Sequence, residues 1–257
     1  MNIIAFIPAR GGSKRVPRKN LRPLAGQPLL VHAIRSAVKS GIFSRILVST
    51  DNDEVESVAI LHGVEVRKVG PPCHVDDCAD IVWVRDAVQH CGSHNAFAIL
   101  RPSSPFRTAD TIQRAWNEFR TAEVHSLRAV QPVTEHPGKM WQCAGKGYPM
   151  HPLIGSTSWP FPKDEPFPHR QWTDVGDPPF HSRPTQTLPQ VYIQNASLEM
   201  AWTYVVDSFG TISGTKVAPF FTNGHEGFDI NTEDDWLEAE RIAVAHPDLL
   251  PRMPSLT

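Results

Sequence analysis

The sequence predicts an α/β fold built on a mostly parallel, Rossmann-like sheet. Short apolar runs alternate with amphipathic stretches at helical spacing through the first half of the chain, the pattern of strands joined by crossover helices. The opening run Ile3–Ile7 is apolar at every position, as in a strand covered on both faces. That run passes directly into a loop rich in glycines and cations, where open α/β sheets bind ligands beyond the carboxyl ends of their strands.

The elements follow in order. Leu29-Leu30, Ala33-Ile34 and Ala37-Val38 recur at helical spacing, and Gly41 is placed to stop that helix. Ile46 to Val48 forms a short buried strand ending at Ser49-Thr50-Asp51. Val55, Val58, Ala59 and Ile60-Leu61 mark a second helix, and Val64 to Val66 a short strand. Ile81, Val82, Val84, Ala87 and Val88 mark a third helix; Ala96 to Leu100 is the next strand, and Ile112, Ala115, Trp116 and Phe119 lie on a fourth helix. The pattern then breaks, and ten of the 24 prolines fall between Pro149 and Pro189, interleaved with Trp and Phe. Flexible linkers are seldom so aromatic, so residues 144–190 read as an ordered excursion from a single domain over 1–257. Order resumes over 188–193, 200–206 and 215–220. A last helix carries Trp236-Leu237, Ala239 and Ile242-Ala243, with Thr232 and Asp235 as its capping box.

Composition excludes several classes. A chain of 257 residues with 40% hydrophobic residues has ample core. No apolar run approaches the roughly 18 residues of a membrane span, and the N-terminus lacks the features of a signal peptide. A net charge of −2 argues against general nucleic-acid binding, so the basic loop is a local feature. The four cysteines are expected as reduced thiols in a cytoplasmic protein, and the Cys73, His74, Cys78 spacing fits no zinc template.

The loop itself runs Ile7-Pro8-Ala9-Arg10-Gly11-Gly12-Ser13-Lys14-Arg15-Val16-Pro17-Arg18-Lys19-Asn20. Two glycines let backbone amides approach an anion, five cations neutralise negative charge, and prolines stiffen the chain. A polyanionic phosphate ligand fits this chemistry. Neither the P-loop spacing nor the G-x-G-x-x-G fingerprint occurs here.

This segment resembles the signature A-R-x-x-S-K-x-x-P-x-K-N of the sugar-acid cytidylyltransferases, which include the CMP-sialic acid synthetases. Ala9, Arg10, Ser13, Lys14, Pro17, Lys19 and Asn20 fill every fixed position. The resemblance implies a nucleotide-sugar transferase fold and a nucleotide site of Arg10, Gly11, Ser13, Lys14, Lys19, Asn20 and Asp77, with Arg10, Lys19 and Asp229 as the catalytic set. It also implies that the proline-rich excursion meets a second subunit, making a homodimer.

Other segments resemble the family with departures. Leu100-Arg101-Pro102-Ser103-Ser104-Pro105-Phe106-Arg107 is similar to L-Q-P-T-S-P-L-R, with Arg101 where sialic acid enzymes commonly carry Gln. Gly227-Phe228-Asp229-Ile230-Asn231-Thr232 resembles D-I-D-T, in which two acids on one strand face hold magnesium; here Asn231 replaces the second. One carboxylate and one amide oxygen, from Asp229 and Asn231, are then the implied metal ligands, with Asn231 as a helix-cap residue the alternative. His181 to Gln190 is similar to the sugar-contacting R-Q-x-L-P stretch, but Thr185 stands where its Arg belongs, with Arg183 two residues earlier. Ile193-Gln194-Asn195-Ala196-Ser197 keeps only Asn195 of R-P-N-G-A. Implied sugar contacts are Arg101, Ser103, Ser104, Arg183, Gln190 and Asn195. Asp76 to Asp80 corresponds loosely to D-T-A-S, with an Asp near the usual Ser. Lys139, in a segment like H-P-x-K, is either a phosphate or carboxylate contact or a solvated turn residue.

The reaction so implied moves CMP from CTP to the anomeric hydroxyl of a 2-keto-3-deoxy sugar acid such as sialic, legionaminic or pseudaminic acid, with Mg2+ and release of pyrophosphate. Three alternatives stand beside it: the same chemistry on a Kdo-like or heptose-derived acid, a glycosyltransferase using Asp51-Asn52-Asp53 as its D-x-D, and a catalytically weak nucleotide-binding scaffold.

Overall fold

β1 (Ile3–Pro8) is the apolar opening run, and its first five residues are buried. In a computed structural model, which describes residues 1–68, 78–92, 94–143, 150–154 and 179–251, this strand lies inside a seven-stranded sheet. After β1 the cationic loop leads to a two-strand ladder of β2 (Pro23–Leu24) and β3 (Gln27–Pro28), and then to α1 (Leu29–Ser40). Gly41 closes α1 at φ 67°, the left-handed conformation that favours glycine. β4 (Phe43–Thr50), α2 (Asp53–Leu61), β5 (Glu65–Lys68), α3 (Asp80–Cys91), β6 (Ala96–Ile99), α4 (Ala109–Thr121) and β7 (Ser126–Pro132) follow. The rest comprises β8 (Trp141–Cys143), β9 (Met150–Pro152), β10 (Tyr192–Trp202), α5 (Tyr204–Phe209), β11 (Val217–Phe221) and α6 (Glu233–Ala245).

Strand order is β11-β7-β10-β6-β1-β4-β5. β1 runs parallel to β4 and β6, β4 to β5, and β11 to β7, while β10 is antiparallel to β6. The sheet is therefore mostly parallel with helices on its faces, as the alternation predicts. Ile3, Ala5 and Ile7 pack one way with Leu30 and Ile34 of α1 and Ile112 and Phe119 of α4. Ile4 and Phe6 pack the other way with Trp83, Val84 and Ala87 of α3. A third cluster joins Val16 of the cationic loop to Leu24, Phe106 and Trp236 of α6, so an apolar anchor holds the charged loop down.

The chain divides into two compact units, 1–131 with 194–257, and 132–193. The first contains all six α-helices of the described residues. In the second, Lys139 donates from Nζ to the carbonyl of His181 at 2.9 Å and to that of Arg183, while His136 Nε2 lies 2.9 Å from the Pro189 carbonyl. Lys139 is thus a tie across the 181–183 turn, neither of the two roles its motif suggests. Most of the 144–190 excursion falls outside the described residues.

Some expectations are corrected. The segments 188–193 and 200–206 become one long strand, β10, followed by α5; pairing starts beyond Pro189, which has no N–H to donate to a ladder. Gly227 to Thr232 is not a strand. Cys78 is disulfide-bonded, whereas Cys91 is free and buried. The expectation of four reduced thiols fails because spacing alone does not reveal which sulfurs the fold brings together. No helix among the described residues is long and apolar enough to cross a membrane.

Candidate functional site

The loop after β1 is closed by its own side chains. Asn20, buried, donates from Nδ2 to the Arg10 carbonyl at 2.8 Å. Lys19 donates from Nζ to the Ile230 carbonyl at 2.8 Å, tying the loop to the segment before α6. Burial pulls the Lys19 ammonium below its usual range, and the nearby Asp229 carboxylate opposes that shift. Gly11 directs its N–H to Asp51 Oδ1 at 2.8 Å, so this amide faces a carboxylate rather than an incoming phosphate. A Cβ at Gly11 would lie 2.7 Å from Asn52 Nδ2. This glycine is required for close packing.

The same contacts account for Asp51-Asn52-Asp53. Asn52 caps α2, accepting from the N–H groups of Glu54 and Val55 at 3.0 Å each. Asp53 pairs with Lys68 at 2.5 Å. The one D-x-D motif is taken up by loop and helix structure.

The turn after β6 forms a second wall. Arg101 Nη2 donates to Asp80 Oδ2 at 2.5 Å and to Glu199 Oε1 at 3.1 Å. Glu199 also pairs with Arg128, and Asp80 Oδ1 accepts from Trp83 Nε1 at 2.9 Å. Two cations and two carboxylates from four elements thus form one balanced network. Arg101 is held by two carboxylates, which offset the charge it would otherwise offer an acidic ligand. Arg107 is fully buried and donates from Nη1 to the carbonyls of Arg101, at 3.2 Å, and Ser197; it fastens this turn to β10. Ser103 accepts at its carbonyl from the Ile230 N–H at 2.9 Å. Ser104 is buried, and its Oγ has no hydrogen-bond partner among the described residues.

Asp229 and Asn231 lie side by side although no strand holds them. Asn231 Nδ2 donates to Asp229 Oδ2 at 2.6 Å. Asp229 Oδ1 is buried with no hydrogen-bond partner among the described residues, an arrangement that costs free energy unless a donor or cation meets it. Asn231 Oδ1 accepts from Arg15 at 3.2 Å. The cap of α6 belongs to Thr232, whose side chain accepts from the Asp235 N–H while Asp235 returns the bond. The Asn231 side chain takes no part in that cap.

These walls enclose a cleft of about 430 Å³ at the carboxyl ends of β1, β4 and β6. Arg10, Ser13, Lys19, Asn20, Arg101, Ser103, Asp229 and Asn231 line it, so the fold gathers eight of the implied site residues from three separated segments. Gly11, Lys14, Ser104 and Asn195 are not among its lining residues. Asn195 instead donates from Nδ2 to Gln131 and Thr222 at 3.1 and 3.0 Å, knitting the ends of β7 and β11. Arg183 and Gln190 belong to the other unit, where Arg183 is buried with its guanidinium 5.2 Å from the Phe180 ring and Gln190 is exposed. Asp77 lies outside the described residues. Asp80, the last residue of the run like D-T-A-S, lines the cleft, and so does Trp83, which no motif marks; Glu199, a lone acid within the apolar run Leu198–Trp202, carried a legible signal.

Comparison with known proteins bears on this cleft. Residues 4–136 match a family model described as cytidylyltransferase. An N-acylneuraminate cytidylyltransferase from Streptococcus agalactiae is 31% identical over 150 residues, covering 58% of this chain but only 36% of that relative. A CMP-N,N'-diacetyllegionaminic acid synthase from Legionella pneumophila is 27% identical over 256 residues, covering 97% of this chain and 100% of the relative. Among solved structures, a CMP:2-keto-3-deoxy-manno-octonic acid synthetase complexed with CTP superposes with a TM-score of 0.65 at 13% identity, covering 96% of this chain and 100% of that one. That likeness is one of fold.

Proposed function

Since this chain belongs to the cytidylyltransferase family, we propose that it transfers the cytidylyl group of CTP to the anomeric hydroxyl of a nonulosonic sugar acid. The observation that carries this reading is the cleft in which Arg10, Ser13, Lys19 and Asn20 face Asp229. The end-to-end match to the Legionella relative favours a sialic- or legionaminic-type acceptor over a Kdo-like acid.

In the proposed reaction the anomeric oxygen bonds to the α-phosphorus as the bond from that phosphorus to the β-bridging oxygen breaks. Pyrophosphate departs with the electron pair, and the hydroxyl proton passes to solvent. Arg10 and Lys19 stabilise the charge that grows on the departing phosphates. Asn20, through its bond to the Arg10 carbonyl, keeps the loop in the conformation that aims both cations inward. Holding the hydroxyl in line with the leaving group accounts for much of the remaining rate.

Asp229 Oδ1 fits a divalent cation, since it is a buried carboxylate oxygen without a partner among the described residues. No group of three or more His, Cys, Asp or Glu side chains able to hold a metal occurs among the described residues. A magnesium ion would take its other ligands from phosphates and water, as that ion commonly does. When bound, magnesium would offset triphosphate charge and polarise the phosphoryl oxygens.

The reading places the enzyme in the cytoplasm, where CTP is made, and as a homodimer through the proline-rich excursion. Sedimentation at micromolar concentration is expected to give a dimer; a strict monomer would contradict that assembly. A coupled pyrophosphate-release assay with CTP and a panel of sugar acids tests the activity. Release is expected with at least one nonulosonic acid, and silence across the panel despite CTP binding would favour the scaffold reading.

A further inference from the structure

Arg107 holds a charge that nothing among the described residues matches. The side chain is fully buried, and Nη1 donates to two backbone carbonyls, that of Arg101 at 3.2 Å and that of Ser197. Nε and Nη2 are buried with no hydrogen-bond partner among the described residues. No carboxylate among them pairs with the guanidinium either; Glu199, the one acid of β10, is taken up by Arg101 and Arg128. Burial alone pulls the Arg107 guanidinium down to about 9, with no acid opposing it. The group therefore stays protonated at neutral pH.

A buried cation without a counter-charge is costly, and buried donors without acceptors add to that cost. The unpartnered nitrogens share one edge of the guanidinium. Nε and Nη2 aim their hydrogens side by side in the plane of the group, a geometry that clasps a single acceptor. Two buried hydroxyls nearby also have no partner among the described residues. Ser104 precedes Arg107 in the same turn, and Ser197 is the residue whose carbonyl Nη1 already holds. All of these groups can donate. A water molecule would need acceptors for its own hydrogens and would leave the charge unmatched. A monatomic anion takes several donors at once and offsets the charge. Ser104 and Ser197 are 1% and 0% exposed, surroundings too closed for a phosphate or a sugar acid.

We propose that the Nε–Nη2 edge of Arg107 binds a chloride ion, with the hydroxyls of Ser104 and Ser197 as further donors. The ion completes the anchor of the turn from Arg101 to Arg107, in which Arg101, Pro102 and Ser103 line the cleft. This site is separate from the CTP and sugar-acid reading and holds whether or not that reading does.

Anomalous diffraction from wild-type crystals grown in sodium bromide, free of chloride, tests this directly. A bromide peak is expected at hydrogen-bonding distance from Arg107 Nε and Nη2. In solution, the melting temperature is expected to rise by about 3 °C for each tenfold increase in chloride near saturation. Ionic strength is held constant there with sodium gluconate, an anion too large for the site. Ser197→Ala should keep the fold and shrink that dependence, since one donor is lost, and Arg107→Gln should abolish it. Should Arg107→Gln fail to fold, the bromide map and Ser197→Ala decide the matter. Water alone on the Arg107 edge, with no bromide, would overturn the proposal. So would a wild-type melting temperature indifferent to chloride, or a chloride dependence undiminished in a folded Arg107→Gln protein.

Discussion

Lys19→Ala is expected to lower turnover of CTP by at least about 100-fold, the scale on which removing one preorganised electrostatic contact to a transition state is felt. Two effects act together. The variant lacks a cation in the cleft wall, and it lacks the 2.8 Å bond from Nζ to the Ile230 carbonyl that joins the cationic loop to the segment bearing Asp229. Lys19→Arg separates them, because it restores the charge on a differently shaped head that the same carbonyl accommodates poorly. Steady-state kinetics with varied CTP, alongside thermal unfolding, read both. Unchanged turnover in a folded Lys19→Ala protein would remove the loop from the phosphate site.

Asp229→Ala is expected to nearly abolish magnesium-dependent turnover. The lining of the cleft includes one other side chain of the same segment, Asn231, and an amide carries no charge to hold a cation between protein and phosphates. Folding should survive, since the substitution removes one buried oxygen without a partner among the described residues, Oδ1, and a single side-chain bond, from Asn231 Nδ2 to Oδ2. Magnesium titration of activity and Mn2+ binding in the presence of CTP both report the change. A variant with normal magnesium dependence would place the metal elsewhere in the chain.

What was legible in the sequence follows from how locally each feature is encoded. The mostly parallel sheet could be read because buried strands and amphipathic helices each carry their own periodicity. The loop from Ala9 to Asn20 could be read because one contiguous stretch supplies glycines, cations and prolines together. The Arg101 network could not. Its partners Asp80, Glu199 and Arg128 arrive from α3, β10 and β7, and nothing local to Arg101 announces that two carboxylates will hold its charge. The same limit applies to Asn195, whose bonds to Gln131 and Thr222 join strand ends distant in sequence. Gly11 shows another kind of miss: its residue type follows from a close approach to Asn52, not from a free amide. Asp229 and Asn231 are neighbours without the strand their motif implies; the Ile230 backbone between them bonds Ser103 and Lys19, and the Asn231 N–H donates to Asp235.

On the proposed reading, CMP is joined to a sugar acid in this cleft. Phosphorus NMR of the purified protein with CTP, magnesium and N-acetylneuraminic or N,N'-diacetyllegionaminic acid tests it most directly, because it observes both products at once. The expected result is a new phosphodiester resonance of a CMP-sugar growing in equal amount with pyrophosphate, and only when the acid is present. CTP that stays intact with every acid, or is merely hydrolysed whether or not an acid is added, would rule this reaction out.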